Sequence, residues 1–204
     1  VMIASNTAAT IGTPSNGVAY SIGATLPGGG GVLYQGTGLT VPVNGLQPGT
    51  RYYFKAWSVG TVTQYSDGVT ADATTDYTLP IIEGFNSTAV PAGWTISNSL
   101  RLFMVTTSSS PAATPYEGTH FVVFNSYSAT SGNRANLTSP RFSTQGGLAA
   151  VFVDFAWHQD PGYPTSFDSV TVEWSSNGTH WVAAQTFTRP APVTGWTSQR
   201  VRLP

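Results

Sequence analysis

The sequence predicts an all-β protein, and three observations predict it. No stretch carries the 3.6-residue period of an amphipathic helix, the longest runs free of Gly and Pro alternate with period two, and turn signals recur at short intervals. The 204 residues include 22 Gly and 14 Pro, which supply those turns.

Taken in chain order, strands are expected near residues 1–5, 17–22, 31–34, 39–43, 51–59 and 68–74, separated by "GTPSNG", "LPGGGG" and "VGTVTQYSDG". The most readable of them lies in "NGLQPGTRYYFKAWSVG", residues 44–60. Leu46, Pro48, Thr50, Tyr52, Phe54 and Ala56 fall at every second position, so this face is expected to be a core, with Arg51, Tyr53, Lys55 and Trp57 turned away from it. Gly49 makes the tight turn that starts the strand. "ATTDYTLP" then loses the alternation and ends in a proline, which places a linker at 77–80 between a domain at 1–76 and a second at 81–204.

After Pro80 the strands lengthen and tryptophan becomes more frequent. "AAVFVDFAWH" (149–158) puts Val151, Val153, Phe155 and Trp157 on one face, and "SVTVEWSSNGTHWVAAQTF" (169–187) reads as a hairpin. A two-residue type I′ turn at Asn177-Gly178 sets Trp174 opposite Trp181 and Val172 opposite Ala183. A tryptophan pair across a ladder is a structural feature before it is a ligand platform.

Composition excludes several function classes. Only 8% of residues are charged, eight basic against nine acidic, for a net charge of −1, so the chain lacks the electrostatic footprint of a nucleic-acid partner or an anionic membrane surface. Lys55 is the single lysine, and solubility rests on Ser, Thr, Asn and Gly, a balance that suits an extracellular β-protein. With no cysteine, a disulfide framework, a thiolate zinc site and a cysteine nucleophile are all excluded. No apolar run reaches the roughly 18 residues of a spanning helix, so direct membrane insertion is not expected. Val1-Met2-Ile3-Ala4 reads as the middle of a strand, so the sequence is expected to be an excerpt of a longer polypeptide.

Catalytic signatures are missing. G-x-S-x-G, H-E-x-x-H, the P-loop and G-x-G-x-x-G after a strand do not occur, and "GGGG" at 28–31 reads as a flexible loop between strands. His158 and Asp160 in "AWHQDPGYP" sit at a strand end, where a polar loop pair is the ordinary reading. A glycosidase needs two carboxylates at a fixed separation, and no pair is nominated above the others. The segment is therefore not expected to be an enzyme. Sequons at Asn86, Asn136 and Asn177 read as turn chemistry.

Two resemblances add to this. The L-x-P-x-T-x-Y run from Leu46 to Tyr52 resembles the penultimate strand of fibronectin type III domains, which implies an Ig-like sandwich with Tyr52 as a tyrosine corner. No earlier strand carries that family's core tryptophan, so the resemblance implies a module without its first strands. The second part resembles the MAM-like and cleaved-adhesin jelly rolls of large secreted bacterial surface proteins. Glu83, Phe85, Pro91, Gly93 and Trp94 in "IIEGFNSTAVPAGW" carry it, together with Asp168, Val170, Val172, Ser175, Asn177, Gly178 and Trp181 in "FDSVTVEWSSNGTHW". Such domains continue past the equivalent of "GWTSQRVRLP", which implies missing closing strands.

The second resemblance also implies calcium, held by carboxylates and backbone carbonyls, with Glu83 and Asp168 at family-like positions and Asp160 as a further ligand. The competing reading makes Asp168 a turn cap and Glu83 a solvated side chain. Exposed loop aromatics, Tyr127, Tyr163 and Trp196, are the residues that would stack on a sugar face or a protein ligand, Trp196 being equally readable as core. The implied role is adhesion, binding or presentation by non-catalytic modules of a secreted or cell-surface protein. The alternatives are accessory modules of a secreted hydrolase whose catalytic domain lies elsewhere, and a structural stalk or filament.

Overall fold

A computed structural model of the chain describes residues 1–109, 112–145, 148–159, 162, 165, 167–189 and 194–204. Asp160 and Tyr163 lie outside the described residues. The fold is all-β, with no helix among the described residues. The chain divides into two compact units, Val1–Leu79 with Arg141–Ser143, and Pro80–Pro140 with Thr144–Pro204.

The first unit is built on one antiparallel sheet. Its strands are β1 (Met2–Asn6), β2 (Gly31–Gln35), β3 (Arg51–Trp57) and β4 (Val69–Thr74), in the order β2-β1-β3-β4. The segments 17–22 and 39–43, expected as strands, are irregular. Pro42 interrupts the second of them and has no N–H to give a ladder.

The core lies on the opposite face from the one the alternation suggests. Met2 pairs with Trp57 and Ala4 with Lys55, so the odd positions of β3 share a face with Met2 and Ala4. On that face Met2 and Ala4 (0% exposed), Trp57 (1%) and Leu26 and Val32 (2%) form the buried cluster, with Ile11, Tyr20 and Tyr65 packed around it. Phe54 and Ala56, on the face expected to be the core, are only half-buried, and with Ile3, Leu33, Val41 and Val69 they line an apolar hollow of about 340 Å³. The reason is that both faces of β3 carry large aromatic rings, Tyr52 and Phe54 on one and Tyr53 and Trp57 beside Arg51 and Lys55 on the other, and the face is chosen by what packs on it. Here loops do the packing. The glycine run is one of them: Gly28, Gly29 and Gly30 all take positive φ, and Leu26 N–H donates to Gly30 O at 2.9 Å, folding Leu26 into the cluster.

Tyr52 is half-buried, and its hydroxyl oxygen accepts the Gln47 N–H at 3.0 Å, five residues upstream. Tyr52→Phe is expected to lower the stability of this unit by about 1 kcal/mol, the usual net worth of one hydrogen bond, as read by urea denaturation. The segment expected as a linker is itself paired: Tyr77 N–H donates to Arg141 O at 2.9 Å, Ser143 N–H to Tyr77 O at 2.9 Å, and Arg141 Nε lies 2.9 Å from Asp76 Oδ1.

The second unit contains β5 (Thr95–Ile96), β6 (Leu102–Val105), β7 (Ser108–Ser109), β8 (Ala112–Ala113), β9 (Phe121–Phe124), β10 (Leu137–Thr138), β11 (Phe152–Gln159), β12 (Ser169–Trp174), β13 (Val182–Thr188) and β14 (Gly195–Arg202). They pair antiparallel as β5–β10, β6–β9, β7–β8, β11–β14 and β12–β13. The longest ladder, β11–β14, sets Asp154 opposite Arg200. That pair is bidentate, Nε to Oδ1 at 2.8 Å and Nη2 to Oδ2 at 3.1 Å, and the hydrogen bond to Asp154 followed by its charge holds the guanidinium above its ordinary pKa.

The β12–β13 hairpin departs from the expected register. Trp174 lies opposite Val182, Glu173 opposite Ala183 and Val172 opposite Gln185, with a bulge between Val172 and Glu173. The connection is longer than two residues because side chains take up its backbone N–H groups. Ser175 Oγ accepts from Asn177 N (3.3 Å) and Gly178 N (2.9 Å), and Asn177 Oδ1 accepts from Thr179 N and His180 N, both at 2.9 Å. Trp181 is left outside the strand, 45% exposed, and does not face Trp174. The two tryptophans are not a cross-strand pair.

Candidate functional site

The site is built at one end of the β6–β9 ladder, where Leu102 lies opposite Phe124. Entering β6, Asn98 makes an Asx turn: its Oδ1 accepts Leu100 N–H at 3.2 Å, and its carbonyl accepts Arg101 N–H (3.1 Å) and Leu102 N–H (3.0 Å). Leaving β9, Asn125 N–H donates to Arg101 O at 2.7 Å, Asn125 Oδ1 accepts Ser128 N–H at 3.4 Å, and Ser126 O accepts Ala129 N–H at 3.0 Å. Arg101 Nη1 ties the two turns together by donating to Ser128 Oγ at 2.7 Å.

The consequence is a pinned pair of turns with unpinned apolar side chains at their tips. Tyr127 is 99% exposed and Leu100 82% exposed. A ring, an aliphatic side chain and a guanidinium are thereby offered at one end of one ladder. Together they can stack on a flat apolar face and hydrogen-bond its polar rim.

Trp196 is positioned differently. It lies in β14, not in a loop, directly opposite His158 of β11. Its Nε1 donates to Thr114 O at 2.9 Å, and its ring meets those of Phe121 (5.6 Å, 88°), His158 (5.1 Å, 80°) and Tyr116 (6.0 Å, 57°). With its polar atom satisfied and three rings against it, the half-buried Trp196 is part of a packed cluster. Of the alternatives its sequence position left open, the packed one describes it. The most exposed member of that cluster is Tyr116, 58% exposed, which sequence reasoning missed. The available signal was an aromatic set in "TPYEG", between a proline and a glycine.

Two of the three carboxylates expected to hold calcium, Glu83 and Asp168, have protein partners. Glu83 Oε1 accepts Phe85 N–H at 2.7 Å, in a turn where Phe85 takes φ 52°. Asp168 sits at the start of the β12–β13 ladder, its carboxylate 3.7 Å from Arg189 Nη1 and its carbonyl accepting Arg189 N–H at 2.8 Å. Among the described residues no group of three or more His, Asp or Glu side chains converges, and Asp160 is not among them. Tyr163 likewise lies outside the described residues.

Two of the tryptophans read as structural, Trp94 and Trp174, share the same degree of burial. Trp94 is half-buried with its ring edge-on to Phe85 at 6.2 Å, and Trp174 is half-buried with an indole N–H that is shielded and has no acceptor among the described residues. His120 contacts Thr119 Oγ1 through Nδ1 at 2.8 Å, His180 sits in the Asn177 turn, and His158 packs on Trp196.

Compared with protein-family models, with curated proteins and with solved structures, the chain gives no match.

Proposed function

We propose that the chain is a pair of non-catalytic binding or presentation modules of a secreted or cell-surface protein, the second engaging a glycan or protein ligand through exposed aromatic side chains. The observation that carries this reading is Tyr127, a ring 99% exposed on a turn that is itself held by hydrogen bonds. A large apolar ring left in water forgoes its burial free energy within the fold. Set on a pre-organised turn, it regains that free energy on binding with little further loss of backbone freedom. Composition supports the extracellular setting, since few charges and many hydroxyl and amide side chains provide solubility without an electrostatic field.

The proposal is tested by binding of the chain to immobilised glycans and peptides. Tyr127→Ala is expected to weaken retention by at least about tenfold, the factor that corresponds to 1.4 kcal/mol, without moving the melting temperature. Unchanged retention in the variant would remove Tyr127 from the reading. Calcium belongs to the proposal as a stabilising ion: a melting temperature that rises with calcium and falls in chelator supports it by mass action, and equal values dismiss it.

The readings as accessory modules of a hydrolase and as a stalk share this surface. A catalytic motif set elsewhere in the reading frame distinguishes the first, and repetition of the same unit distinguishes the second.

A further inference from the structure

We propose that the first unit carries its own binding site, for a small carboxylate-bearing and hydroxyl-rich ligand, the chemistry of an acidic sugar residue. The site is the part of the core-side sheet face that the loops leave uncovered. It is a groove of about 350 Å³ lined by Thr10, Ile11, Tyr53, Lys55, Thr70 and Asp72, a volume in the range of small-ligand sites.

Local chemistry fixes both walls and floor. Asn6 Nδ2 donates to Thr10 O at 2.8 Å and its Oδ1 accepts Ala8 N–H at 3.3 Å, while Gly12 N–H donates to Gly29 O at 2.8 Å. The loop bearing Thr10 and Ile11 is thereby anchored at both ends. Lys55 pairs with Thr70 and Tyr53 with Asp72 across the β3–β4 ladder, so these four side chains form a block on one face.

Charge gives the groove its preference. Arg51 Nε lies 2.8 Å from Asp72 Oδ2, so the carboxylate is already neutralised by a neighbouring cation. The Lys55 ammonium stands 5.3 Å from the centre of the Trp57 ring, and among the described residues no carboxylate comes within ion-pair reach of it. Arg51, Lys55 and Asp72 thus leave one net positive charge at a groove in a chain whose net charge is −1 and whose single lysine is this one. Three ammonium N–H donors suit a carboxylate, the hydroxyls of Tyr53, Thr10 and Thr70 suit sugar hydroxyls, and Ile11 offers an apolar wall to ring C–H groups.

The proposal does not depend on Tyr127, which belongs to the other unit. The test is titration of the whole chain by two-dimensional NMR with D-glucuronate, its neutral amide, glucose and a tripeptide with a free C-terminal carboxylate. Saturable shifts are expected with glucuronate at the amides of Thr10, Tyr53, Lys55 and Thr70. The neutral amide, glucose and the tripeptide are expected to bind at least tenfold more weakly. Lys55→Gln is expected to lose at least tenfold in glucuronate affinity, Lys55→Arg to retain most of it, and Tyr127→Ala to leave it unchanged. Absence of shifts at these amides, equal binding of the amide, equal binding of the tripeptide, or an unaltered affinity in Lys55→Gln each overturns the proposal. If Lys55→Gln melts below the parent chain, Thr70→Val, which keeps the charge and removes a hydroxyl, takes its place with a smaller loss expected and an unchanged affinity as the contrary result.

Discussion

Trp57→Ala is expected to destabilise the first unit by about 3–5 kcal/mol, the cost of deleting a large aromatic side chain from a packed interior. Trp57 is 1% exposed and is the largest side chain of a buried cluster whose other members are Met2, Ala4, Leu26 and Val32. Backbone rides on the ring as well: at Gly68, φ +77°, an added Cβ would stand 2.8 Å from Trp57 Cδ1 and Nε1. Relaxation into the void would have to move a turn. Trp57→Phe is the informative companion, because the buried indole N–H has no acceptor among the described residues and its loss removes an unsatisfied donor. The phenylalanine variant is expected to cost less than half as much as the alanine. Chemical denaturation followed by far-UV circular dichroism measures both, and near-equal stability of Trp57→Ala and the parent chain would mean that the core is not on this face.

Gly118→Ala is the corresponding change in the second unit, expected to cost about 2–4 kcal/mol from left-handed backbone strain and overpacking together. Gly118 has φ +67°, and its Cβ would lie 2.0 Å from Gly84 O and 2.9 Å from Asn86 Oδ1. The Asn86 side chain can turn aside, but Gly84 O cannot yield freely, since Gly84 is backbone between Glu83 and Phe85, whose turn is closed by the Glu83 carboxylate and whose Phe85 O accepts His120 N–H at 2.8 Å. Gly178→Ala is the control. It too has positive φ, +76°, but nothing lies within 4 Å of an added Cβ, so only the backbone strain of about 1–2 kcal/mol is expected. Equal costs at the two positions would contradict the close approach at Gly118.

The fold class and several strands were legible because period-two alternation is a local signal. β3, β11, β12 and β13 lie where the alternation places them. What was not legible depends on partners distant in sequence. β3 alternates Tyr52, Phe54 and Ala56 against Arg51, Tyr53, Lys55 and Trp57, so the local pattern favours the first set, and only the pairing of Met2 with Trp57 identifies the buried side. At the 175–181 connection the dipeptide Asn177-Gly178 suggests a two-residue turn, but Ser175 Oγ and Asn177 Oδ1 capture the N–H groups such a turn leaves free and a wider turn wins. The segments 17–22 and 39–43 carry strand-like residues, yet among the described residues no strand pairs with them.

The candidate site was partly legible for the same reason. Tyr127 is flanked by Ser126 and Ser128 in a polar loop, and its exposure follows from that. Trp196 has the same kind of sequence surroundings, but its environment is made by Thr114, Tyr116, Phe121 and His158, none of which is local to it. The expectation of a cation at Glu83 and Asp168 rests on resemblance alone, and their hydrogen-bond and ion-pair partners, Phe85 N–H and Arg189, are revealed only by the folded turns.

The proposed function requires that the chain bind a ligand without transforming it, and the fate of a captured ligand tests this. The chain, its Tyr127→Ala variant and its His158→Ala variant are incubated with the glycans and peptides that the parent retains, and the ligands are then eluted and weighed by mass spectrometry. The account predicts intact ligand from every sample, with the amount retained falling in Tyr127→Ala and holding in His158→Ala. Cleaved or otherwise altered ligand from the parent chain, lost on changing His158, would contradict it and assign the second unit to catalysis.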